Sequence, residues 1–244
     1  MARAAVSRRL NWQLATVVRT IDETDEAKSI ILRCPDWSGH LAGQHIDIRL
    51  TAEDGYQSQR SYSISSAPDE PLTITVVRLE DGEVSPFLTE ELRTGDEIEI
   101  RGPIGGYFVW TEHSGGPLAL IGGGSGVAPL RAIFRHHKVT GSDVPIRLLY
   151  SSRSWNDVLF RAELEGSPDV RFALTREWPD DWPGHRGRID RDFLEHEAFT
   201  SRERPLVYVC GPTAFVEAMS DSLVALGHAP ERIKTERFGP TGTS

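Results

Sequence analysis

A run of glycines near the middle of the chain has the composition of a phosphate-binding loop. Residues Gly122–Pro129 read Gly-Gly-Gly-Ser-Gly-Val-Ala-Pro, between an apolar stretch that ends at Ile121 and a helical pattern. Residues without a Cβ atom let backbone N–H groups approach a pyrophosphate, and the N-terminus of a helix adds positive potential. A tight strand-to-helix turn would also use glycine, but three in succession exceed what a turn requires. The segment therefore predicts a nucleotide site.

A polar strand in the first half of the chain is a second candidate. The stretch Gln59–Ser66 reads Gln-Arg-Ser-Tyr-Ser-Ile-Ser-Ser, and strand alternation places Arg60 and Tyr62 on one face and Ser61 and Ser63 on the other. An arginine fork suits a diphosphate, and a tyrosine ring can stack on a planar cofactor such as a flavin. Taken alone, the stretch also fits an ordinary polar strand.

The third candidate is the tripeptide Cys210-Gly211-Pro212, which follows the apolar stretch Leu206–Val209 and precedes a helical pattern. A strand again meets a helix here, so the tripeptide is expected on the same rim of a sheet as the glycine run. A free cysteine is usually a small buried hydrophobic residue. A functional role at the end of a parallel strand and a purely structural one therefore both stay open for Cys210.

The overall composition excludes several classes of protein. The net charge of −9 argues against non-specific binding to nucleic acid or anionic lipid. Two cysteines, Cys34 and Cys210, are too few for a disulfide scaffold or a four-cysteine metal site. Ser7–Leu10 faintly resembles a twin-arginine signal but no apolar run follows it, and no stretch reaches the roughly 18 apolar residues of a membrane span. We expect a cytoplasmic protein with no membrane segment, no bound metal and no nucleic-acid partner.

The first half of the chain is typical of an antiparallel barrel or sandwich, because short β-branched stretches alternate with turn residues. One helix is expected at Val84–Leu92, with Ser85 as its N-cap and Pro86 at its first position. The predicted strands are Trp12–Ile21, Lys28–Cys34, His45–Leu50, Ser61–Ser65, Leu72–Leu79 and Glu97–Arg101.

After Ser114-Gly115-Gly116-Pro117, apolar strands alternate with helical patterns, which indicates βαβ units around a parallel sheet. We therefore expect a barrel over residues 1–113 and a doubly wound α/β domain over residues 114–244. The predicted strands are Leu118–Ile121, Ile146–Tyr150, Val170–Leu174, Leu206–Val209 and Arg232–Glu236, and the predicted helices are Ala128–His137, Trp155–Leu164 and Thr213–Leu226.

Six motifs in this order resemble the ferredoxin–NADP reductase superfamily, in its bacterial oxygenase-reductase and flavohaemoglobin-like branch. They are Arg-x-Tyr-Ser at 60–63, Gly-x-x-Ser at 82–85, Gly-Pro-x-Gly-x-Tyr-Phe at 102–108, the glycine run, Cys-Gly-Pro at 210–212 and Glu-x-Phe at 236–238. The resemblance extends roughly from Leu14 to Pro240. It implies an antiparallel Greek-key β-barrel that binds a flavin, followed by a doubly wound parallel α/β domain for a nicotinamide nucleotide.

The resemblance also implies roles for individual residues on the flavin side. Arg60 would contact the flavin pyrophosphate, Tyr62 would pack on the isoalloxazine ring, and Ser63 would lie near its N5 atom. The helix N-terminus after Gly82 would cradle the diphosphate. The other residues expected around the flavin are Ile64, Val76, Val77, Arg78, Val84 and Ser85.

On the nucleotide side, the glycine run would hold the pyrophosphate and Cys210-Gly211-Pro212 would border the nicotinamide. Glu236 and Phe238 would meet the flavin, with Phe238 shielding one face of the ring. Ser63, Cys210 and Glu236 would then position the rings or tune polarity, because the cofactors carry the hydride chemistry. The loop residues expected to contact the nucleotide are Gly123, Gly124, Ser125, Gly126 and Pro129.

The preference between NADPH and NADH is set where the second parallel strand ends. Arginines there accommodate a 2′-phosphate, whereas an acidic residue would bind the ribose hydroxyls. Ser152 and Arg153 follow that strand, and Arg176 and Arg188 resemble two further arginines of NADP-using relatives. We favour NADPH, although NADH-using relatives carry similar arginines and these residues could instead pair with Asp180 or Asp181.

We expect FAD rather than FMN, and a reductase module without the iron–sulfur or globin domain that relatives often carry. Electrons would then pass to a separate acceptor protein, such as ferredoxin, flavodoxin or a partner oxidoreductase. Two alternatives stay open: a reductase of free flavin, and a non-catalytic subunit that keeps the fold for assembly.

Overall fold

Two six-stranded sheets, one antiparallel and one parallel, follow each other along the chain. The structure is a computed structural model that describes residues 10–238. The Ser7-Arg8-Arg9 part of the signal-like stretch and Pro240 lie outside the described residues. No helix among residues 10–238 has both the length and the apolar character needed to cross a membrane.

The first sheet closes into a barrel. Its strand order is β4-β3-β6-β1-β2-β5, every pairing is antiparallel, and a bridge between Ile64 and Ile74 joins the two edge strands. Apolar side chains such as Ile46, Ile48 and Ile100 point inward and are fully buried. The strands are β1 (Gln13–Thr24), β2 (Ala27–Arg33), β3 (His45–Thr51), β4 (Gln57–Ser63), β5 (Thr73–Val77) and β6 (Glu97–Ile104).

The helix predicted at Val84–Leu92 is shorter than expected, with a π-helical turn over Phe87–Glu91. Ser85 is not its N-cap, which corrects the sequence-based prediction. The Ser85 hydroxyl accepts a hydrogen bond from the backbone N–H of Leu79 at 3.1 Å, and no side chain caps the turn. The Ser85 side chain is therefore used to close the loop that precedes the turn.

The second sheet is entirely parallel, with the order β10-β9-β8-β7-β11-β12. All six residues of β7 are buried, as is typical of a strand covered by helices on both faces. The strands are β7 (Leu118–Gly123), β8 (Ile146–Ser152), β9 (Val170–Leu174), β10 (His185–Arg186), β11 (Leu206–Pro212) and β12 (Ile233–Phe238). The helices are α1 (Val127–Thr140), α2 (Arg161–Leu164), α3 (Arg191–Glu197) and α4 (Thr213–Ala225).

The helix predicted at Trp155–Leu164 is wrong over most of its length, because only α2 is helical. Phe160 adopts a left-handed backbone conformation with φ of +57°, which ends any helix before it. The N–H of Leu159 donates to the Tyr150 hydroxyl at 3.1 Å, and the Trp155 ring packs edge-on against Phe172. Tertiary contacts thus hold this segment in an irregular path. The sequence-based prediction also missed β10 and α3.

Hydrogen bonds at two places join the barrel to the parallel-sheet half of the chain. At one, Arg131 of α1 donates to the carbonyl oxygen of Ser65 at 2.9 Å. At the other, the Tyr208 hydroxyl and the Lys234 ammonium both donate to the carbonyl oxygen of Val109, at 2.8 and 3.1 Å. These groups are partly buried, and hydrogen bonds are stronger away from water. The bonds therefore hold the barrel and the parallel sheet in a defined arrangement.

Candidate functional site

The carboxyl ends of β7 and β11 meet at the point where the order of the parallel sheet reverses. Strands β8, β9 and β10 lie on one side of β7, whereas β11 and β12 lie on the other. In such sheets, ligands bind in the crevice outside the carboxyl ends at this switch point. One row across the sheet contains Glu236, Cys210, Gly122 and Tyr150, each opposite the next.

Two glycines of the run, Gly123 and Gly126, pack so closely on their neighbours that side chains would not fit. A Cβ atom on Gly126 would lie 2.1 Å from the carbonyl oxygen of Cys210, and one on Gly123 would lie 2.9 Å from the Phe215 ring. A Cβ atom on Gly211 would meet the same ring at 2.9 Å. Gly124 has a φ of +54° and faces open space. The result is a backbone-lined cradle at the start of α1.

Cys210 is fully buried at the end of β11. Burial and the neighbouring charge of Glu236 raise the pKa of its thiol well above the ordinary value. A thiol that stays protonated is a poor nucleophile and a poor metal ligand. Cys210 is therefore a neutral, buried group near the carboxyl end of β11.

Glu236 lies beside Cys210 on β12 and is partly buried. Burial raises the pKa of its carboxyl group to about 7, so the group is largely protonated in mildly acidic solution. Two positions further, Phe238 lies opposite the exposed Pro212 and packs against the core of the parallel sheet. A carboxyl group that titrates near neutrality thus stands at the mouth of the crevice.

On the barrel, Ser63 is buried at the end of β4, opposite His45 of β3. Ile64, the next residue, is fully buried. Tyr62 is partly buried, and burial raises the pKa of its hydroxyl to about 12. The tyrosine is therefore neutral, as suits a ring that packs against an apolar partner.

Arg60 lies on the exposed part of β4, near other hydrogen-bond donors that bind the carboxylate of Glu83. Its guanidinium is 3.8 Å from Glu83, whose carboxylate also accepts hydrogen bonds from Ser58 at 2.8 Å and Tyr56 at 3.2 Å. These donors and the Arg60 charge lower the pKa of Glu83. The donor set therefore has the chemistry to receive an anion such as a diphosphate.

The remaining candidate residues of the barrel lie around the end of β5. The side chain of Val76 is fully buried in the barrel, so only its backbone could line a ligand, whereas Val77 and Arg78 are half-buried. Arg78 forms ion pairs with Glu90 at 2.8 Å and Glu26 at 3.9 Å.

The loop after β5 is tight, and it contains the remaining three candidates. The N–H of Gly82 donates to the carbonyl oxygen of Leu79 at 2.9 Å, and a Cβ atom on Gly82 would lie 2.9 Å from the Ser85 hydroxyl. Val84 and Ser85 are buried beneath it. Glycine is thus the residue that this close approach requires.

The structure brings the end of β5, with Val77, next to the glycine cradle. The turn Gly124–Gly126 has Cα atoms within 8 Å of β5 of the barrel and of β11 and β12 of the parallel sheet. Val77 also packs against the core cluster that contains Cys210. The glycine cradle therefore lies at the junction between the two halves of the chain.

The three candidate arginines follow three neighbouring strands at the same edge. Arg153 follows β8, Arg176 follows β9 and Arg188 follows β10, and all three are exposed. The backbone N–H of Arg176 donates to the carbonyl oxygen of Arg153 at 2.9 Å, while Ser152 is buried beside them. Within residues 10–238, none of the three forms an ion pair with a carboxylate, Asp180 and Asp181 included.

Sequence reasoning missed two residues that shape this site. Phe215 packs over both Gly123 and Gly211, and Arg131 connects α1 with Ser65, two residues beyond the end of β4. Both lie on helices whose apolar and polar patterns are ordinary. Their positions depend on contacts distant in the chain, so no local signal indicated them.

Comparisons with known proteins agree with this arrangement. The family described as an oxidoreductase FAD-binding domain matches residues 21–109, and the oxidoreductase NAD-binding domain matches residues 120–221. The chain is 34% identical over 209 residues to the glycine betaine monooxygenase reductase subunit of Chromohalobacter salexigens, covering 82% of this chain and 56% of the relative. It is 29% identical to the ferredoxin reductase component of 3-ketosteroid-9-alpha-monooxygenase of Mycobacterium tuberculosis, covering 94% of this chain and 65% of the relative.

The chain thus spans 56% and 65% of the length of these two curated relatives. Among solved structures, the FAD/NAD-binding domain of the nitric oxide dioxygenase of Vibrio cholerae superposes with a TM-score of 0.81 at 27% identity, covering 93% of this chain and 99% of that one. An FAD-binding match on the barrel, an NAD-binding match on the parallel sheet and this shared architecture lead to one conclusion. The chain belongs to the ferredoxin–NADP reductase superfamily, with an FAD-binding domain followed by an NAD-binding domain.

Proposed function

We propose that this chain is an FAD-dependent NAD(P)H reductase that delivers electrons to a separate acceptor protein. The observation that carries the proposal is the position of the Gly124–Gly126 turn, against β5 of the FAD-binding barrel and β11 and β12 of the NAD-binding sheet. We place the barrel domain at residues 1–113 and the nucleotide domain at residues 114–244. Two ligands bound on these domains would meet at that turn.

The barrel residues bind and orient the flavin in this proposal. Arg60 pairs with the diphosphate, Tyr62 packs on the ring, and the buried hydroxyl of Ser63 serves as a hydrogen-bond partner near the reacting edge. Arg60 and Ser58 already bind the carboxylate of Glu83, and this supports the first role. The other proposed flavin contacts are Ile64, Val76, Val77, Arg78, Gly82, Val84 and Ser85.

The sheet-edge residues hold the nicotinamide nucleotide. The cradle from Gly123 to Gly126, with Pro129 in the first turn of α1, receives the pyrophosphate through backbone N–H groups. The backbone of Cys210-Gly211-Pro212 borders the nicotinamide, and Phe238 covers one face of the flavin. Gly124, which faces open space at a φ of +54°, and the close packing of Gly123 and Gly126 on the end of the sheet support this assignment.

Bound FAD supplies the two-electron and one-electron chemistry, since it accepts a hydride and releases electrons singly. The chain contributes orientation and exclusion of water. The Cys210 thiol is neutral and fully buried beside the crevice. The carboxyl group of Glu236 has a pKa of about 7, so it can hold or release a proton near neutral pH. Ser63, Cys210 and Glu236 are therefore positioning and polarity-setting groups, and no covalent step is needed.

We propose NADPH as the preferred nucleotide. Arg153, Arg176 and Arg188 follow adjacent strands at the nucleotide edge, and guanidinium groups bind phosphate more strongly than ribose hydroxyls. The lack of an ion pair for any of them within residues 10–238 supports their availability for a 2′-phosphate.

The acceptor in this proposal is a separate ferredoxin or oxygenase component. The support comes from relatives described as a monooxygenase reductase subunit and a ferredoxin reductase component. We also propose a cytoplasmic location, which the two free thiols support because disulfides form mainly in oxidising compartments.

An anaerobic reduction titration tests the function. The purified protein should carry stoichiometric FAD, and its flavin absorbance should bleach with NADPH more readily than with NADH; a ferredoxin added afterwards should restore the colour. A colourless protein that reduces added flavin would instead indicate a reductase of free flavin. Bound flavin that neither nucleotide bleaches would indicate a non-catalytic subunit and would overturn the proposal.

A further inference from the structure

Arg131 of α1 reaches across to the barrel. Its guanidinium donates to the carbonyl oxygen of Ser65 at 2.9 Å and to the carboxylate of Glu163 at 2.7 Å. The same group lies 4.3 Å above the centre of the Phe160 ring. Only 13% of the Arg131 side chain is exposed, so these contacts form largely out of water.

The two ends of this contact belong to the two halves of the proposed site. Arg131 lies five residues after Gly126, in the second turn of the helix that begins at the glycine cradle. Ser65 is fully buried and lies two residues after Ser63, which is proposed to face the reacting edge of the flavin. A single side chain thus connects the nucleotide cradle with the flavin strand.

A second arginine on α1, Arg135, also binds the barrel segment that follows Ser65. Arg135 lies one helical turn beyond Arg131 and pairs with Glu163 at 3.1 Å and with Glu70 at 2.9 Å. The Glu70 carboxylate also accepts a hydrogen bond from the backbone N–H of Ala67 at 2.8 Å. The ends of the segment Ser65–Glu70 are therefore both held by α1.

Ser65 is also connected to the other side of Phe160 through buried hydroxyl groups. Its hydroxyl lies 2.9 Å from that of Thr75, which lies 2.8 Å from that of Ser29. Ser29 donates to Glu23 at 2.6 Å, and the other oxygen of Glu23 accepts from the N–H of Phe160 at 3.2 Å. Phe160 keeps its left-handed backbone between this hydrogen bond and the Arg131 guanidinium above its ring.

We propose that Arg131 is a positioning residue for hydride transfer, which sets the distance between the nucleotide cradle and the flavin strand. This inference rests on the proposed function. Arg131 touches no reacting atom, and it acts by holding the Ser63–Ser65 segment against α1. Hydride transfer needs reacting atoms about 3–3.5 Å apart, and a displacement of about 1 Å slows such a step about 100-fold.

Arginine suits this position better than lysine, because one planar group makes three contacts at once. It donates to a carbonyl oxygen, pairs with a carboxylate and stacks on an aromatic ring. Lysine could keep the charge and one hydrogen bond but would lose the fork and the stacking. Lysine is therefore expected to rescue the position in part, and glutamine is not.

The first test measures the contact without any nucleotide. Hydrogen–deuterium exchange is followed in flavin-free wild type, Arg131→Gln, Arg131→Lys and the control Lys138→Gln, which breaks an ion pair with Asp169 made by the same helix. Exchange in Arg131→Gln should rise several-fold at the amides of Ile64, Ser65 and Ala67 and stay unchanged in β3 and β8. Arg131→Lys should show a smaller rise and Lys138→Gln none.

The second test measures flavin reduction by rapid mixing under anaerobic conditions, expressed per bound FAD. Arg131→Gln should lower the limiting rate about 10- to 100-fold, with little change in the dissociation constant for NADPH, and Arg131→Lys should recover part of the loss. Lys138→Gln should match wild type.

An unchanged limiting rate in Arg131→Gln would overturn the inference, as would a rise in exchange throughout the protein, which would indicate a general loss of stability. A wild-type flavin that neither nucleotide reduces would instead overturn the proposed function and with it this catalytic role. In that case the exchange measurement would still decide whether Arg131 holds the barrel segment.

Discussion

Cys210 and Glu236 lie directly opposite each other on the parallel strands β11 and β12, beside the point between β7 and β11 where the strand order reverses. The carboxylate charge of Glu236 is one reason why the pKa of the Cys210 thiol is raised, and burial is the larger reason. Burial also raises the pKa of Glu236 to about 7. The pair therefore places one neutral thiol and one titratable carboxyl group side by side at the proposed point of hydride transfer.

Glu236→Gln should slow flavin reduction while leaving FAD bound. Glutamine keeps the size and one oxygen acceptor but loses the proton and the charge of the carboxyl group. We expect the limiting rate of reduction to fall about 10- to 100-fold, because polar groups at a reacting centre typically contribute this much or more. Rapid-mixing spectroscopy gives the rate and the absorbance ratio gives the flavin content. Equal rates for the variant and wild type would remove Glu236 from the proposed mechanism.

The same carboxyl group should make the stability of the protein depend on pH. Its folded pKa is raised, so the folded state binds more protons than the unfolded state between the ordinary value of 4.5 and about 7. The contribution of Glu236 to stability is thus present below pH 4.5 and is lost as the pH rises through 7. Relative to wild type, Glu236→Gln should gain roughly 5–10 °C in Tm between pH 5 and pH 8, since the shift of the pKa from 4.5 to about 7 corresponds to about 2–3 kcal/mol over that range. Thermal unfolding at both pH values measures this, and parallel profiles would contradict it.

Gly126→Ala should weaken nucleotide binding about 10- to 100-fold, because a Cβ atom would overlap with the neighbouring strand. The φ of Gly126 is −62°, which any residue adopts, but a Cβ atom would lie 2.1 Å from the backbone oxygen of Cys210. The cradle and β11 would have to separate, at a cost of about 1–3 kcal/mol. Calorimetric titration should show weaker NADPH binding with FAD content unchanged. Gly106→Ala, where a Cβ atom meets nothing within 4 Å, should bind as wild type does.

Arg60→Ala should weaken the retention of FAD. Hydrogen bonds to charged groups contribute about 1.5–3 kcal/mol, so the dissociation constant for FAD should rise about 10- to 100-fold. Fluorescence recovery during dilution measures the released flavin. Arg49→Ala removes another barrel arginine, one that pairs with Glu99 at 2.6 Å, and should keep its FAD. Full flavin occupancy in Arg60→Ala would show that the diphosphate role is wrong.

The double variant Arg153→Ala and Arg176→Ala should lose any preference for NADPH over NADH. Loss of two guanidinium groups removes charge-assisted hydrogen bonds to a 2′-phosphate, so KM for NADPH should rise about 10-fold or more while KM for NADH stays nearly constant. Arg171→Ala is a matched control near the opposite end of β9, where Arg171 pairs with Glu197 at 3.0 Å. An unchanged ratio of kcat/KM values in the double variant would reject the NADPH proposal.

Features with a local signature could be predicted from the sequence. The glycine run was expected to follow a strand and open a helix, and it begins in the last two residues of β7 and continues into the first turn of α1. The alternation of short polar-apolar strands followed by βαβ units indicated a barrel and a doubly wound sheet, and this fold class is confirmed. Strand ends were less accurate: β4 ends at Ser63 instead of Ser65, and β12 continues to Phe238 instead of ending at Glu236.

Predictions failed where distant contacts outweigh local preference. The stretch Trp155–Leu164 has a helical pattern, but the hydrogen bonds of Leu159 to Tyr150 and of Phe160 to Glu23 hold most of it in an irregular path. Ser85 has the residue type of an N-cap, yet its hydroxyl is already bound to the N–H of Leu79. In both cases a tertiary or loop hydrogen bond replaced the one that the local pattern favours.

By itself, the sequence determined the kinds of chemistry present and their order along the chain. Residue types and their spacing indicate the backbone cradle, the arginine on a strand and the cysteine at a strand end, because such motifs depend on neighbours within a few positions. Only the tertiary structure decided which residues from distant parts of the chain lie next to each other. The burial that brings the pKa of Glu236 to about 7, the Phe215 ring over two glycines and the bond from Arg131 to Ser65 all join residues far apart in the chain. Their energies depend on desolvation and packing, which no local pattern contains.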